Sequence, residues 1–246
     1  MKRSSPSSPQ NLLLASLPLE DYALLRPHLT HVRLKQQTIV REAARPIEHI
    51  HFPLEGMVSM VAMLGTGDGV EIAAIGREGA VGAKVGLHPQ LAFARAIVQL
   101  PGTALRIGLE KFQQAARQSL AITHLSTCAN DVMTANLQQS AACNAMHDLE
   151  PRLARWLLHA RDRYESDGLP LTQEFLAQML GVRRTTVTLT AQAMQKAGLV
   201  RYRRGTVEIA DRAALEAMSC ECYFAVRRNV ETILQNAKLA QQARNE

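Results

Sequence analysis

The sequence predicts an α+β protein: an N-terminal antiparallel β jelly roll, a long dimerisation helix and a C-terminal winged helix-turn-helix. Three observations carry this expectation. Between residues 31 and 109, short apolar segments recur about every ten residues with glycine or proline between them, the texture of an antiparallel sandwich or barrel. From Glu110 glycine is absent until Gly168, and apolar residues recur at spacings of three and four, a helical period. Residues 171–211 then combine two short helical segments joined at a glycine with a basic hairpin.

Composition bounds the alternatives. With 246 residues, 47% of them hydrophobic, the chain can bury one large or two modest cores, which excludes disorder as a description of the whole. Cys128, Cys143, Cys220 and Cys222 are the four cysteines; so few in a chain of this length exclude a disulfide scaffold and favour reduced thiols in a cytoplasm. No apolar stretch approaches the ~18 residues that cross a bilayer. Met1-Lys2-Arg3 is separated by Ser and Pro from the short run Leu12-Leu13-Leu14-Ala15, so residues 1–11 read as a disordered leader rather than a signal peptide. The net charge is +6. Residues 152–212 hold 11 basic and 6 acidic side chains, while residues 1–151 hold 13 and 12. The excess is therefore local, and a polyanion is the partner class it favours over a membrane surface.

In chain order, Leu12, Leu13, Leu17 and then Tyr22, Leu24, Leu25, Leu29 predict two short helices broken at Pro18 and Pro27. Strands are expected at 32–34, 38–40, 49–52, 57–64, 70–75, 94–100 and 104–109, without helix-length segments between them for a parallel sheet. Ile122, Leu125, Ala129, Val132, Asn136, Gln139, Cys143 and Met146 form an a/d seam, and a second copy of the chain is the economical partner for it. Asn136 and Gln139 interrupt the seam either as amides that set its register or as contacts to a ligand. A further helix is expected around 151–164, with Pro151 in its first turn. The resulting domains are a β-roll at 12–118, a dimerisation helix at 119–148 and a winged helix-turn-helix domain with a helical extension at 149–246.

Thr172 can cap a helix whose first turn carries Gln173 and Glu174, and Phe175, Leu176, Met179 and Leu180 supply its apolar face. Gly181 provides a tight turn. A second helix is expected over 183–196, burying Val187, Ala191 and Met194 and exposing Arg183, Arg184, Thr185 and Thr188. An arginine fork can donate two hydrogen bonds to guanine, and threonine offers a hydroxyl and a methyl to a base edge. The alternating segments 199–202 and 206–209 flank Arg203-Arg204-Gly205, a hairpin wing with a phosphate-seeking tip. Arg183, Arg184, Thr185 and Thr188 are thus the candidate base readers, with Thr172, Gln173, Arg203 and Arg204 for phosphate.

On the stretch Leu171-Thr-Gln-Glu-Phe-Leu-Ala-Gln-Met-Leu-Gly-Val-Arg-Arg-Thr-Thr-Val-Thr188 and its wing, the chain resembles the Crp/Fnr family of bacterial transcription regulators. The glycine-punctuated β region and long helix follow the family's order. The resemblance implies a cyclic-nucleotide-binding-like sensor, a homodimer on a two-fold double-stranded DNA operator, a small-molecule effector, and RNA polymerase as a candidate partner. It places Arg184 at the family's base-reading arginine, whereas Thr185 and Leu189 stand where glutamate and a further arginine are common. In the sensor, Ala83 falls at the glutamate that contacts ribose. Ala94 falls at the arginine that holds the cyclic phosphate, with Arg95 one residue late and so on the opposite strand face. Cyclic AMP is therefore not the expected effector, and Arg95, Asn136 and Gln139 are the residues retained for effector contact.

Other chemistries have less support. An N-terminal cysteine cluster for iron–sulfur ligation is lacking. Cys220 and Cys222, expected in one helix, would point apart. Cys143 and His147 are four apart, but Cys143 sits on the seam, so the cysteines read as structural thiols, and no metal or cofactor is assigned. His49 and His51 share a strand face and are too few for a site; haem lacks support, with His124, His147 and His159 left open as ligands. Gly65-Thr-Gly67-Asp-Gly69 falls between strands and opens no helix, and Gly-x-Ser-x-Gly and His-Glu-x-x-His do not occur. No catalytic residue is assigned. The competing class is a dimeric ligand-binding or protein-interaction module without sequence-specific DNA binding.

Overall fold

The computed structural model describes residues 10–84, 91–166, 168–203 and 205–242. Two short helices, α1 (Leu12–Ala15) and α2 (Leu19–Leu25), lead into β1 (Thr30–Leu34), β2 (Ile39–Arg41), β3 (His49–Met63), β4 (Gly69–Ile75) and β5 (Arg95–Gly108). Helices α3 (Leu109–Gln118), α4 (Leu120–Met146) and α5 (Leu149–Arg163) follow. The C-terminal part contains β6 (Gly168–Leu169), α6 (Gln173–Leu180), α7 (Arg184–Lys196), β7 (Val200–Arg203), β8 (Thr206–Ile209), α8 (Arg212–Met218) and α9 (Cys222–Gln242). This is the α+β order that the sequence predicts: antiparallel sheet, long helix, helix-turn-helix.

The sensor sheet runs β1-β5-β3-β4, with β2 also on β5, and its pairs are antiparallel. Four of the expected strands merge into two. β3 spans the segments expected at 49–52 and 57–64, and β5 spans those at 94–100 and 104–109. The register shifts between Pro53 and Val58 show where β3 bends without ending, as bulges do. Glycines permit it: Gly56 has φ +88°, and a Cβ on Gly102 would lie 2.2 Å from the Glu55 carbonyl oxygen.

The leader expected at 1–11 is corrected at its end, while residues 1–9 lie outside the described residues. Asn11 is fully buried. Its Oδ1 accepts from the N–H of Leu13 and Leu14, and its Nδ2 donates to the carbonyls of Pro53 and Gly79, each at 2.9 Å. It therefore caps α1 and stitches it to the sheet.

Ser119 caps α4, accepting from the Ile122 N–H at 3.1 Å. The seam expected to meet a second copy is instead filled largely from within the chain. Ile122, Leu125, Ala129, Val132, Asn136 and Cys143 are all buried, packed against the sensor and against α9, whose Val226, Val230 and Ala237 join the same cores. The helical extension thus folds back onto α4 instead of trailing from the DNA-binding domain. Heptad spacing reports a buried stripe, and the stripe does not say whose helix covers it.

α5 fastens the C-terminal part to the sensor. Its Trp156 and Leu157 share one core with Met57, Val61 and Leu100 of the sheet and with Leu176, Val187 and Val207 beyond it. The Trp156 indole donates to Glu71 Oε1 at 2.8 Å. Arg163 Nη2 and Nε lie 2.7 and 2.9 Å from Glu78 Oε1, the two side chains being 7% and 11% exposed. Arg163→Met should leave the Glu78 carboxylate buried without its cation and cost about 3–5 kcal/mol in urea denaturation, with partial recovery in the Arg163→Met, Glu78→Gln double variant.

Burial, reinforced by Arg106, His49 and Arg41, holds His51 down at about 4. The unfolded chain takes up this proton near 6.5 and the folded chain only near 4, so stability is full above pH 6.5 and falls as pH drops between those values. His51→Gln should remove on the order of 3 kcal/mol of the acid-induced loss at pH 4. Equal pH slopes for the two proteins would contradict the assignment.

Candidate nucleic-acid interface

The helix-turn-helix is built by local rules. Thr172 has extended backbone and its side chain accepts from the Phe175 N–H at 3.2 Å. α6 stops after eight residues because Gly181 adopts the left-handed conformation, φ +66°, and its N–H closes the helix on Ala177 and Gln178. Phe175, Leu176, Met179 and Leu180 are buried beneath it, as the apolar spacing predicts.

α7 begins one residue later than expected. Arg183 is the extended residue at its N-cap and Arg184 its first helical residue. Val187, Thr190, Ala191 and Met194 face the core, which turns Arg184, Thr185 and Leu189 outward. Arg183 is also exposed, though it departs from the turn rather than the helix. Arg184 Nη1 lies 3.3 Å from Glu174 Oε2, with both side chains about two-thirds or more in solvent, a contact that is cheap to break. Thr188 is half-buried: its hydroxyl lies 2.7 Å from Gln173 Oε1 and 3.0 Å from the Arg184 carbonyl. Its proton is therefore used within the motif, leaving lone pairs and the methyl group for a base. The same bond orients the Gln173 amide, fixing it between α6 and α7.

The wing is β7 against β8, with β6 as the third strand. Arg203 is exposed at the end of β7, opposite Thr206. Arg204 lies outside the described residues. Leu189, 68% exposed one turn beyond Thr185, adds an apolar side chain to the same surface, at the position where the family resemblance expects a further arginine.

The sensor holds a cavity of about 150 Å³ between the sheet and α4, lined among others by Arg41, Met60, Lys84, Phe93, Asn130 and Met133. Arg95, Asn136 and Gln139 do not line it. Arg95 turns away and pairs with Glu42 at 2.8 Å. Asn136 is buried and donates to the Val132 carbonyl at 2.8 Å, one turn back. Gln139 lies on another side of α4 and donates to Cys222 Sγ at 3.0 Å. The residues that do reach the cavity include two cations that sequence reasoning missed, because only the curl of the sheet brings β2 beside the segment after β4. Burial pushes the pKa of both Arg41 and Lys84 down. Among the described residues Arg41 Nε has no hydrogen-bond partner, and Lys84 Nζ sits 4.7 Å from the Phe93 ring centre.

A second cleft separates the start of α7 from the sensor. Leu64, Asp68 and Val70 of the β3–β4 hairpin face Glu174, Arg183 and Arg184 across it, and α6 packs on β4. No helix among the described residues is long and apolar enough to cross a membrane.

The comparisons with known proteins agree with this architecture. Residues 151–218 match the model of the Crp-like helix-turn-helix domain. No curated protein sequence matches the chain. Among solved structures, a protein described as a transcriptional regulator of the Crp/Fnr family from Eubacterium rectale aligns at 17% identity over 84% of this chain and 96% of its own, with a TM-score of 0.64. The c-di-GMP responsive global regulator CLP from Xanthomonas campestris aligns at 18% identity over 79% and 100%, also at 0.64. FixK2 from Bradyrhizobium japonicum aligns at 15% identity over 78% and 98%, at 0.62. The chain therefore carries a Crp-like helix-turn-helix domain within the fold of the Crp/Fnr transcription regulators.

Proposed function

We propose that this protein is a sequence-specific transcription regulator that binds a two-fold DNA operator as a homodimer and answers to a small anionic effector. The observation that carries the reading is the exposed edge of Arg183, Arg184 and Thr185 at the start of α7, beside a basic wing and within the segment that holds most of the chain's excess positive charge. Helix N-termini and arginine forks aimed outward are what a major groove accepts. Arg183, Arg184, Thr185 and Thr188 read bases, joined by Leu189 against a thymine methyl; Thr172, Gln173, Arg203 and Arg204 meet phosphates. RNA polymerase is the natural protein partner of a regulator so placed.

Dimerisation is supported by what α4 leaves uncovered. Asp131 is the only charged residue among its 27, and its outer face exposes Thr127, Thr134, Leu137 and Ala141. A long helix that is nearly uncharged on every side is built to be covered on every side. A second copy along this face would set two recognition helices the ~34–36 Å apart that successive major grooves require.

The effector reading rests on Arg41 and Lys84, two partly desolvated cations in a mostly apolar cavity. An acidic group would compensate both. Binding there presses on α4, the helix that carries the dimer face. The effector thus acts by favouring the α4 arrangement that sets the two recognition helices at the spacing of successive major grooves.

Selection of bound sequences from a random DNA pool tests the reading as a whole, since an interaction module without operator specificity would enrich none. On the selected operator, Arg184→Ala should cost about 1–3 kcal/mol at a single base pair of each half-site. Arg203→Ala should weaken all sequences alike and flatten the salt dependence by about one phosphate contact. Fluorescence anisotropy against singly substituted operators separates the two patterns. With Ala94 in the cavity and Arg95 bound to Glu42, isothermal titration with cyclic AMP should give no micromolar binding.

A further inference from the structure

Three cysteines and a histidine from two segments far apart in sequence meet at the end of α4. Cys143 and His147 are one turn apart and share a face. Cys220 precedes α9 outside any helix or strand, and Cys222 is the first residue of that helix. The expectation that these two cysteines share a helix and diverge is thereby corrected: the helix starts between them, and the link bends both sulfurs toward α4. Cys143 Sγ lies 3.5 Å from Cys220 Sγ, and Cys222 Sγ lies 3.6 Å from His147 Nδ1. All four donor atoms fall within 4.8 Å of one another.

Those distances are the edges of a coordination tetrahedron. A zinc ion with Zn–S of about 2.3 Å and Zn–N of about 2.0 Å sets its sulfurs ~3.8 Å apart and a sulfur and nitrogen ~3.5 Å apart. A disulfide would join only Cys143 and Cys220, at about 2.05 Å, and would leave the approach of Cys222 and His147 without a purpose. The surroundings are those of a metal ligand shell. His147 Nε2 lies 3.3 Å from Glu221 Oε1, the carboxylate contact by which a ligating histidine is held through its other nitrogen. Gln139 donates an N–H to Cys222 Sγ. Cys143, Cys220 and Cys222 form a buried cluster, 0%, 7% and 1% exposed.

We propose that Cys143, His147, Cys220 and Cys222 bind one zinc ion per chain in a closed, structural Cys₃His site. Four protein donors fill the tetrahedron and leave no position for a substrate. Three thiols give up their protons on binding, and the histidine binds as the neutral ring through Nδ1. The ion ties the last turn of α4, which carries the sensor, to the link between α8 and α9, which leaves the DNA-binding domain. Gln139, kept from the sequence as an effector contact, belongs to this site instead. Single-ion spacing and soft sulfur donors favour zinc over an iron–sulfur cluster.

The test is the metal content of the full-length chain, purified without chelator and then incubated with zinc and reductant. Inductively coupled plasma mass spectrometry should find about one zinc per chain, and cobalt substitution should give the visible bands of a tetrahedral thiolate complex. Cys143→Ser and Cys220→Ser should lose the ion, while His147→Cys should retain it as a four-thiolate site. Glu221→Gln, at an exposed residue that any fold tolerates, should weaken affinity about tenfold or more. The proposal is overturned by a folded chain that holds no zinc after incubation with zinc and reductant, by a Cys143–Cys220 disulfide that persists under reductant, or by iron and inorganic sulfide in place of zinc. None of these readouts involves DNA, so the result stands apart from the operator experiments.

Discussion

Arg163 reaches from the last turn of α5 into the sensor and ends on Glu78, in the turn after β4. An ion pair this dry stabilises little in itself, because both charges give up hydration, yet it tolerates no displacement of either partner. Its value is positional. Together with the Trp156–Glu71 hydrogen bond, it gives α5 two directional polar contacts on one continuous apolar core, and these orient the helix against the sheet. α6 then packs on β4 and Gly181 sits against Val70. The orientation of the recognition helix in this arrangement is therefore a consequence of where Arg163 and Trp156 are held.

The same logic explains α4. Apolar and small residues run around most of its circumference, and three different surfaces compete for them: the sensor sheet, α9 and the open outer face. α9 takes the side that the heptad spacing singles out, using Val226, Val230 and Ala237. Asn136 is accommodated there by folding its amide back onto the Val132 carbonyl, which satisfies the donor without a partner helix. The chain thus uses its own C-terminus to complete its core, and the link that begins this return is where the cysteines gather.

Charge is divided by task. The recognition edge and wing display arginines in solvent, where they keep their hydration until a polyanion replaces it. The sensor is close to neutral over its length, but its cavity concentrates two partly buried cations, Arg41 and Lys84. A cation held in such a place stays only modestly stable until an anion joins it.

Patterns of local physics were legible in the sequence. The glycine-punctuated strands, the uninterrupted helical stretch, the Thr172 cap, the Gly181 turn and the exposed arginines of α7 depend on neighbours a few residues apart, and so the residues alone determined them, along with the class of architecture and the local excess of positive charge. Long-range pairing decided the rest. Whether segments 49–52 and 57–64 are two strands or one bent strand depends on Gly102 approaching Glu55 from across the sheet. Whether a seam on α4 meets a second copy or the chain's own α9 depends on a fold-back some eighty residues later in sequence. Arg41 and Lys84 became a pair, and Cys143, His147, Cys220 and Cys222 a cluster, only when distant backbone was brought together. Spacing along a chain encodes periodicity and caps; it does not encode which distant surfaces will close on one another.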